Sequence, residues 1–90
     1  MPYIDKQERL RFDPLTARLS HRVTTPGELN YVITTLCLDY LEASQGSYQD
    51  FNEVIGVLEC AKLELYRRAV ALYEDKKIAE NGDVYPEETG

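Results

Sequence analysis

The stretch TPGELNYVITTLCLDYLEAS, residues 25–44, decides the fold class of this chain. Thr25 precedes Pro26 and has Glu28 three residues after it, which is the capping-box pattern of a helix start with proline at the first helical position. Apolar residues then recur at intervals of three and four, the spacing of one helix face; they are Leu29, Val32, Ile33, Leu36, Tyr40 and Ala43. The pattern predicts a helix over about residues 25–44, ended by Gln45-Gly46.

A second and longer helical pattern follows this helix. Asp50 has Glu53 three residues after it, which predicts a second capping box, and Ser47 is a competing cap. The apolar pattern then continues until the Asn81-Gly82 turn signal. A helix over 50–80 would be roughly 40 Å long at 1.5 Å per residue. We expect a helix of that length either to bend near Tyr73-Glu74 or to project its end into a partner.

The remaining segments complete an all-α prediction. Within residues 1–25, one short helix is expected after an Asp5 cap and another is expected to start at Asp13-Pro14. No alternating run of strand length occurs. Because short connections favour antiparallel neighbours, we expect a helical hairpin of the two long helices, 25–44 and 50–80, with the N-terminal segment packed across it.

The domain organisation follows from the length. Ninety residues suffice for one domain, expected over 1–85, and the polar residues 86–90 are expected to form a disordered acidic tail. A domain of this size buries only about 60–65% of its unfolded surface and is marginally stable alone.

The long second helix is predicted to be apolar on two faces. Its core face, centred on Leu58, carries residues at helical spacing: Phe51, Val54, Ile55, Ala61, Leu65, Ala69 and Leu72. The opposite face carries Gly56, Cys60, Leu63, Val70 and Ala71. Helices that are apolar on two sides are normally covered on two sides. The pattern therefore predicts a homo-oligomer, with twofold symmetry as the expected arrangement.

Lys62 lies within the predicted core face, where an unpaired charge is costly to bury. One interpretation is a structural ion pair with Asp39 of the preceding helix. The other is that Lys62 lines a cavity together with Glu59 and Tyr66, its neighbours at the border of that face. The sequence leaves both interpretations open.

Composition narrows the class of function. The net charge is −6, with +2 on residues 1–25 and −8 on residues 26–90, which disfavours general nucleic-acid binding. No apolar run resembles a signal peptide or a membrane span, so we expect a cytoplasmic protein without membrane partners. Cys37, Cys60 and His21 show no metal-ligand spacing, so no metal or cofactor is expected and the cysteines are expected to be reduced, buried thiols.

Three constellations could carry chemistry. Arg67 and Arg68 could hold a phosphate or carboxylate bidentately, although surface pairs with Glu64 explain their spacing equally well. The scattered acids do not reproduce the repeated helical acid pairs that hold magnesium in all-α nucleotide pyrophosphohydrolases, and magnesium needs several convergent oxygens. Seven tyrosines could stack on bases or fill an interface. Because no nucleophile is paired with a base, we predict no catalytic residue.

The strings TPGELNYVIT, NEVIGVLECAKLELYRR and YEDKKIAENGDVY resemble a family of short uncharacterised proteins encoded by bacteriophages and scattered prokaryotes. The resemblance covers about residues 1–85. It implies a compact helical protein, and by analogy with small phage proteins of similar build it implies an oligomer that traps nucleotide immune signals. The polar residues within or beside these strings are then the candidate ligand-binding residues: Asn30, Tyr31, Glu59, Lys62, Tyr66, Arg67 and Arg68.

Three functions follow from these observations. The first is a homo-oligomeric binding protein that sequesters a small anionic, nucleotide-like ligand. The second is a protein-interaction or inhibitor module that acts on a host or phage protein. The third is a small metal-dependent nucleotide hydrolase.

Overall fold

A computed structural model describes residues 4–86 of the chain, and these residues confirm the all-α class. We label the α-helices α1 to α5 in chain order and name the π-helical segment between the last two the π turn. The described residues contain no strand. The helices are α1 (Lys6–Arg9), α2 (Asp13–Ser20), α3 (Pro26–Ala43), α4 (Tyr48–Leu65), the π turn (Tyr66–Val70) and α5 (Ala71–Asn81).

The start of α3 confirms the predicted capping box. Thr25 Oγ1 accepts from the Glu28 N–H at 3.1 Å, and Glu28 Oε1 accepts in return from the Thr25 N–H at 3.1 Å. The same oxygen also accepts from the Thr24 N–H at 2.8 Å. These bonds satisfy N–H groups that have no partner inside the helix. They also hold the pKa of Glu28 below its ordinary value, with the Thr24 N–H as the largest cause.

The first two helices are shorter than α3 and also start near the predicted positions. Asp5 caps α1, since its Oδ1 accepts from the Glu8 N–H at 3.0 Å. Helix α2 begins at Asp13 itself, so Phe12 rather than Asp13 occupies the cap position, and Phe12 makes no side-chain cap bond. The predicted Asp13 cap is therefore wrong by one residue.

The start of α4 corrects a second predicted cap. Ser47 Oγ accepts from the Asp50 N–H at 3.2 Å, and Asp50 Oδ2 accepts from the Ser47 N–H at 3.0 Å. Ser47 is therefore the N-cap and Asp50 is the third residue of its capping box. The predicted pair of Asp50 and Glu53 does not form, because Asp50 already lies inside the helix.

A tight turn joins α3 to α4. Gln45 and Gly46 both adopt positive φ angles, 74° and 63°, which end α3 and turn the chain before α4. Across this turn Tyr40 Oη donates to Glu53 Oε2 at 3.2 Å, and Gln49 donates to the other carboxylate oxygen at 3.4 Å. Glu53 thus ties the start of α4 to the end of α3.

The predicted helix 50–80 is interrupted, but not where we expected. The Ala71 N–H bonds to the Tyr66 carbonyl, five residues back, so Tyr66–Val70 form a π turn. The expected bend site, Tyr73-Glu74, lies inside regular α5. The helix end is as predicted, since Gly82 takes φ 85° and its N–H bonds to the Ile78 carbonyl at 2.8 Å.

The chain divides into two units, Met1–Val54 and Ile55–Gly90. Helices α1 to α3 and the start of α4 belong to the first unit, and the rest of α4, the π turn and α5 belong to the second. The hairpin of two long helices and the single domain over 1–85 remain predictions. Of the predicted disordered tail, residues 87–90 lie outside the described residues.

None of the described residues is buried, so neither unit forms a buried core of its own among residues 4–86. On the predicted core face of α4, Leu58 is 38% exposed and Leu65 is 64% exposed. Leu36, the predicted core centre of α3, is 60% exposed, and the predicted buried thiol of Cys60 is exposed. The apolar stripes are present at the predicted spacing, and neither unit covers them by itself.

Candidate functional site

The seven predicted ligand-binding residues are divided between the two units. Asn30 and Tyr31 lie on α3 in the first unit. The other five lie in the second unit, on α4 or the π turn: Glu59, Lys62, Tyr66, Arg67 and Arg68. A single site that contains all seven residues therefore remains a prediction.

Asn30 and Tyr31, the two predicted residues in the first unit, do not form a binding site by themselves. Asn30 uses its side-chain oxygen within α3, where it accepts from Thr34 Oγ1 at 3.0 Å. Tyr31 is 72% exposed, and its ring is available to a partner. The exposed ring fits an interface as well as it fits a ligand, because tyrosine serves both.

Glu59 and Lys62 pair with each other on α4. Lys62 Nζ lies 3.5 Å from Glu59 Oε1, and the Lys62 side chain is 70% exposed. In one copy of the chain, Lys62 is therefore a solvated charge with a local partner, worth little to stability. The predicted pair with Asp39 would join residues of the two units and remains a prediction.

Arg67 and Arg68 lie on the π turn, and both are exposed. Arg68 is within 3.4 Å of Glu64 Oε1, the i, i+4 surface pair that the sequence suggested. Within residues 4–86, Arg67 makes no ion pair. The π turn therefore presents two guanidinium groups to solvent, and guanidinium is the side-chain group that pairs bidentately with phosphate or carboxylate.

Tyr66 begins the π turn and spans it with its side chain. Tyr66 Oη donates to the Glu74 carboxylate, at 2.8 Å from Oε1 and 2.9 Å from Oε2. This bond to Glu74 is the largest cause that raises the pKa of Tyr66, because loss of the phenol proton would remove the donor. The charges of Glu74 and of Tyr85 raise the pKa further.

The Tyr66–Glu74 bond depends on the π turn. In a regular α-helix, residues eight apart lie about 80° apart around the axis and about 12 Å apart along it. A π turn takes one residue more than an α turn. With that residue discounted, Tyr66 and Glu74 are seven steps apart, which places them within about 20° of each other. The inserted residue thus brings the phenol and the carboxylate onto one face.

A cleft that the sequence did not predict lies where α5 ends. Its volume is about 320 Å³. Helix α5 forms one wall and the segment after it forms the other; the lining residues are Tyr73, Glu74, Lys77, Ile78, Asn81, Gly82, Asp83, Val84 and Tyr85. The signal for this cleft in the sequence was the DVY string, residues 83–85. The turn at Gly82 brings the Val84 and Tyr85 side chains of this string next to α5.

Lys77, a lining residue of the cleft, makes an ion pair with the neighbouring Glu80 and a ring contact with Tyr73. Lys77 Nζ lies 3.3 Å from Glu80 Oε2 and 5.5 Å from the centre of the Tyr73 ring. Asp83 Oδ1 accepts from the Tyr85 N–H at 3.0 Å, which shapes the segment after α5. In the part of the chain that the structure describes, the cleft included, no three His, Cys, Asp or Glu side chains converge as metal ligands would.

These observations define a small all-helical protein with uncovered apolar faces, two arginines on a π turn and a cleft at its last helix. The family model of a domain of unknown function, DUF6899, matches residues 1–84. The chain belongs to this family. No curated protein and no solved structure gives a significant match. Among residues 4–86, no helix combines the length and the apolar character that a bilayer crossing requires.

Proposed function

We propose that this protein is a homo-oligomeric helical binding module whose apolar α3 and α4 faces are covered by further copies of the chain. The observation that carries the proposal is that none of the described residues is buried. Apolar stripes at regular helical spacing are stable in water only when something covers them. A second copy is the occupant that is always present at the chain's own concentration.

The exposure of individual side chains supports this proposal. On α3, Leu36 and Leu38 are each 60% exposed, and on α4 Leu63 is 55% exposed and Leu65 is 64% exposed. Moving a large apolar side chain from water into an apolar contact stabilises a protein by about 1.5–3 kcal/mol, so covering these faces would be favourable.

The experiment is native mass spectrometry combined with sedimentation at micromolar concentration. We expect a multimer for the natural chain and a smaller species for Leu65→Asp, which places a charge on the α4 stripe. Val84→Asp makes the same kind of change at a residue that is 91% exposed and outside the helices, and it should leave the multimer intact. A monomeric natural chain would overturn the proposal.

A second candidate function is favoured by Arg67. We propose that the π turn binds a small anionic, nucleotide-like ligand, because Arg67 is exposed and makes no ion pair within residues 4–86. Arg68 could add a second guanidinium by exchanging its Glu64 contact for the ligand. Mass retained under native conditions and lost on denaturation would identify a ligand carried from the cell.

The direct test of this second candidate uses ADP and inorganic pyrophosphate as probes in calorimetric titrations. Arg67→Gln should weaken binding about tenfold or more, which corresponds to about 1.4 kcal/mol. Arg18→Gln on α2 removes an equal charge elsewhere and is the matched control. Equal weakening by both variants would reduce the effect to net charge, and absence of binding to the natural chain would refute this candidate.

The other two functions are separated by the same measurements. A bare multimer that binds neither probe would favour a module that acts on another protein through its remaining exposed apolar surface. Metal-dependent hydrolysis has no supporting observation among residues 4–86, where no acidic cluster of metal-binding size is present.

A further inference from the structure

The cleft at the end of α5 combines aromatic rings with carboxylates. Tyr73 and Tyr85 provide two phenol rings, and Ile78 and Val84 add aliphatic surface. A volume of about 320 Å³ lies at the small end of the range for ligand pockets. The ligand that fits is therefore a small molecule with an apolar portion.

The charges of the lining indicate the sign of the ligand. Two of the lining residues, Glu74 and Asp83, are acids, and neither forms an ion pair within residues 4–86. The lining has one cation, Lys77, and Glu80 at 3.3 Å offsets its charge. The cleft and its Glu80 neighbour thus carry a net negative charge, which attracts a cation.

The structure also shows that a cation is accommodated on a ring of this cleft. The Lys77 ammonium lies 5.5 Å from the centre of the Tyr73 ring, within the range of a cation–π interaction. Within the described residues no cation lies over the Tyr85 ring, which is 79% exposed. The lining therefore offers one ring with a cation of the protein over it and a second ring that is open to a ligand.

We propose that this cleft binds a small organic cation that carries an aromatic or aliphatic group, with the quaternary ammonium and guanidinium classes as the best match. The cation lies over the Tyr85 ring and near the Glu74 and Asp83 carboxylates, and its apolar portion contacts Ile78 and Val84. This site is separate from Arg67 and Arg68 and does not depend on the proposed function.

The test is an NMR titration of the full chain with benzyltrimethylammonium chloride. We expect saturable shifts at the amides of the cleft residues. Benzenesulfonate, which has the same ring and the opposite charge, should not produce these shifts. Shifts of equal size with both probes, or no saturable shift with the cation, would overturn the proposal.

Two variants sharpen the test in opposite directions. Tyr85→Leu removes the ring that is open to a ligand and should weaken binding of the cation about two- to fivefold, the size of an exposed cation–π interaction. Lys77→Met removes the cation that the cleft already contains, so it should strengthen binding. Weaker binding to the Lys77→Met variant would contradict the proposal, because it would show that the lysine attracts the ligand.

Two further variants separate the cleft from general electrostatics. Asp83→Asn removes a lining carboxylate and should weaken binding, and Asp75→Asn removes a charge from α5 outside the lining. Circular dichroism of each variant establishes that its helices are retained. If both variants weaken binding equally, the cation responds to net charge alone and the cleft assignment is wrong.

Discussion

Two tyrosines of this chain donate hydrogen bonds to glutamates, and they span very different pieces of backbone. Tyr40 reaches Glu53 across the turn between α3 and α4, at 3.2 Å. Tyr66 reaches Glu74 along one continuous run of helix, at 2.8 and 2.9 Å. The first bond spans the turn between two helices, and the second requires that the helix contains one extra residue. The same pair of residue types therefore forms a hydrogen bond across two different interruptions of regular helix, the turn between α3 and α4 and the π turn.

The largest expected effect concerns the turn beneath the Tyr40–Glu53 bond. Gly46 has φ 63°, a conformation that costs a residue with a side chain about 1–2 kcal/mol, so Gly46→Ala should destabilise the chain by about that amount. The added methyl group would meet no atom closer than the Leu41 carbonyl oxygen at 3.7 Å, so the cost is conformational. Thermal or urea unfolding measures it.

Gly56 provides the matched control for this prediction. It lies inside α4, and a methyl group added there would enter open space, so Gly56→Ala should stabilise the chain by about 1 kcal/mol. If both variants change the free energy of unfolding in the same direction, the positive φ angle at Gly46 is not what makes Gly46→Ala destabilising. The NMR signals of Tyr40 should move only in the Gly46 variant.

The next effect tests the start of α4, which holds Glu53 in place. Ser47→Ala should cost about 1 kcal/mol, the usual value for the loss of an N-cap side chain. Hydrogen exchange should accelerate in the first turn of α4. If Asp50 were the cap, as the sequence suggested, the Ser47 variant would unfold like the natural chain.

A smaller and strictly local effect is expected from Tyr66→Phe. The variant removes the bond across the π turn, and because the turn and the bond depend on each other, the amide shifts of Tyr66–Val70 should change. Tyr73→Phe removes a hydroxyl from a neighbouring ring and should leave those amides unchanged. If Tyr66→Phe also leaves them unchanged, the π turn is fixed by other forces.

The smallest expected effect is a pH dependence of the stabilisation that the Tyr40–Glu53 and Tyr66–Glu74 bonds provide. Both tyrosines have a pKa raised above the ordinary value of about 10, each through its glutamate bond. A raised pKa means that the stabilisation is fully present below the ordinary value and is lost as the pH rises through the raised value. Glu53→Gln should lower only the Tyr40 pKa and Glu74→Gln only the Tyr66 pKa, as measured by NMR titration. A crossed response would contradict the assignment of partners.

The parts of the fold that the sequence predicted are those with a local chemical signal. Thr25 with Glu28 predicted a helix start, and Gly82 predicted a helix end, because caps are built from residues a few positions apart. The π turn was not predicted, since Tyr66–Val70 contain no proline or glycine and fit a regular helical pattern. The Tyr66–Glu74 bond was missed for the same reason. The Tyr40–Glu53 bond was missed because helical spacing does not show which side chains meet across the turn at Gly46.

The candidate site was predicted only in part. Arg67 and Arg68 were chosen for their chemistry, and the structure places both on the exposed π turn. Leu58, the predicted core centre of α4, is 38% exposed, because apolar spacing shows which residues share a face and not what covers that face. The cleft beside Tyr73 was missed because it requires the chain after Gly82 to return along α5.

The π turn also bears on how this chain tolerates a change of length. A deletion inside a regular helix rotates every later side chain by about 100° and separates residues that shared a face. Here the extra residue is already absorbed between Tyr66 and Val70, so loss of Ala69 would give a regular helix with its hydrogen bonds complete. Tyr66 and Glu74 would then be seven positions apart and would still share a face, within about 20°. A deletion at this position would thus leave the side chains of α5 in the same orientation relative to α4. A deletion within regular α4 or α5 would instead rotate the later side chains by about 100°.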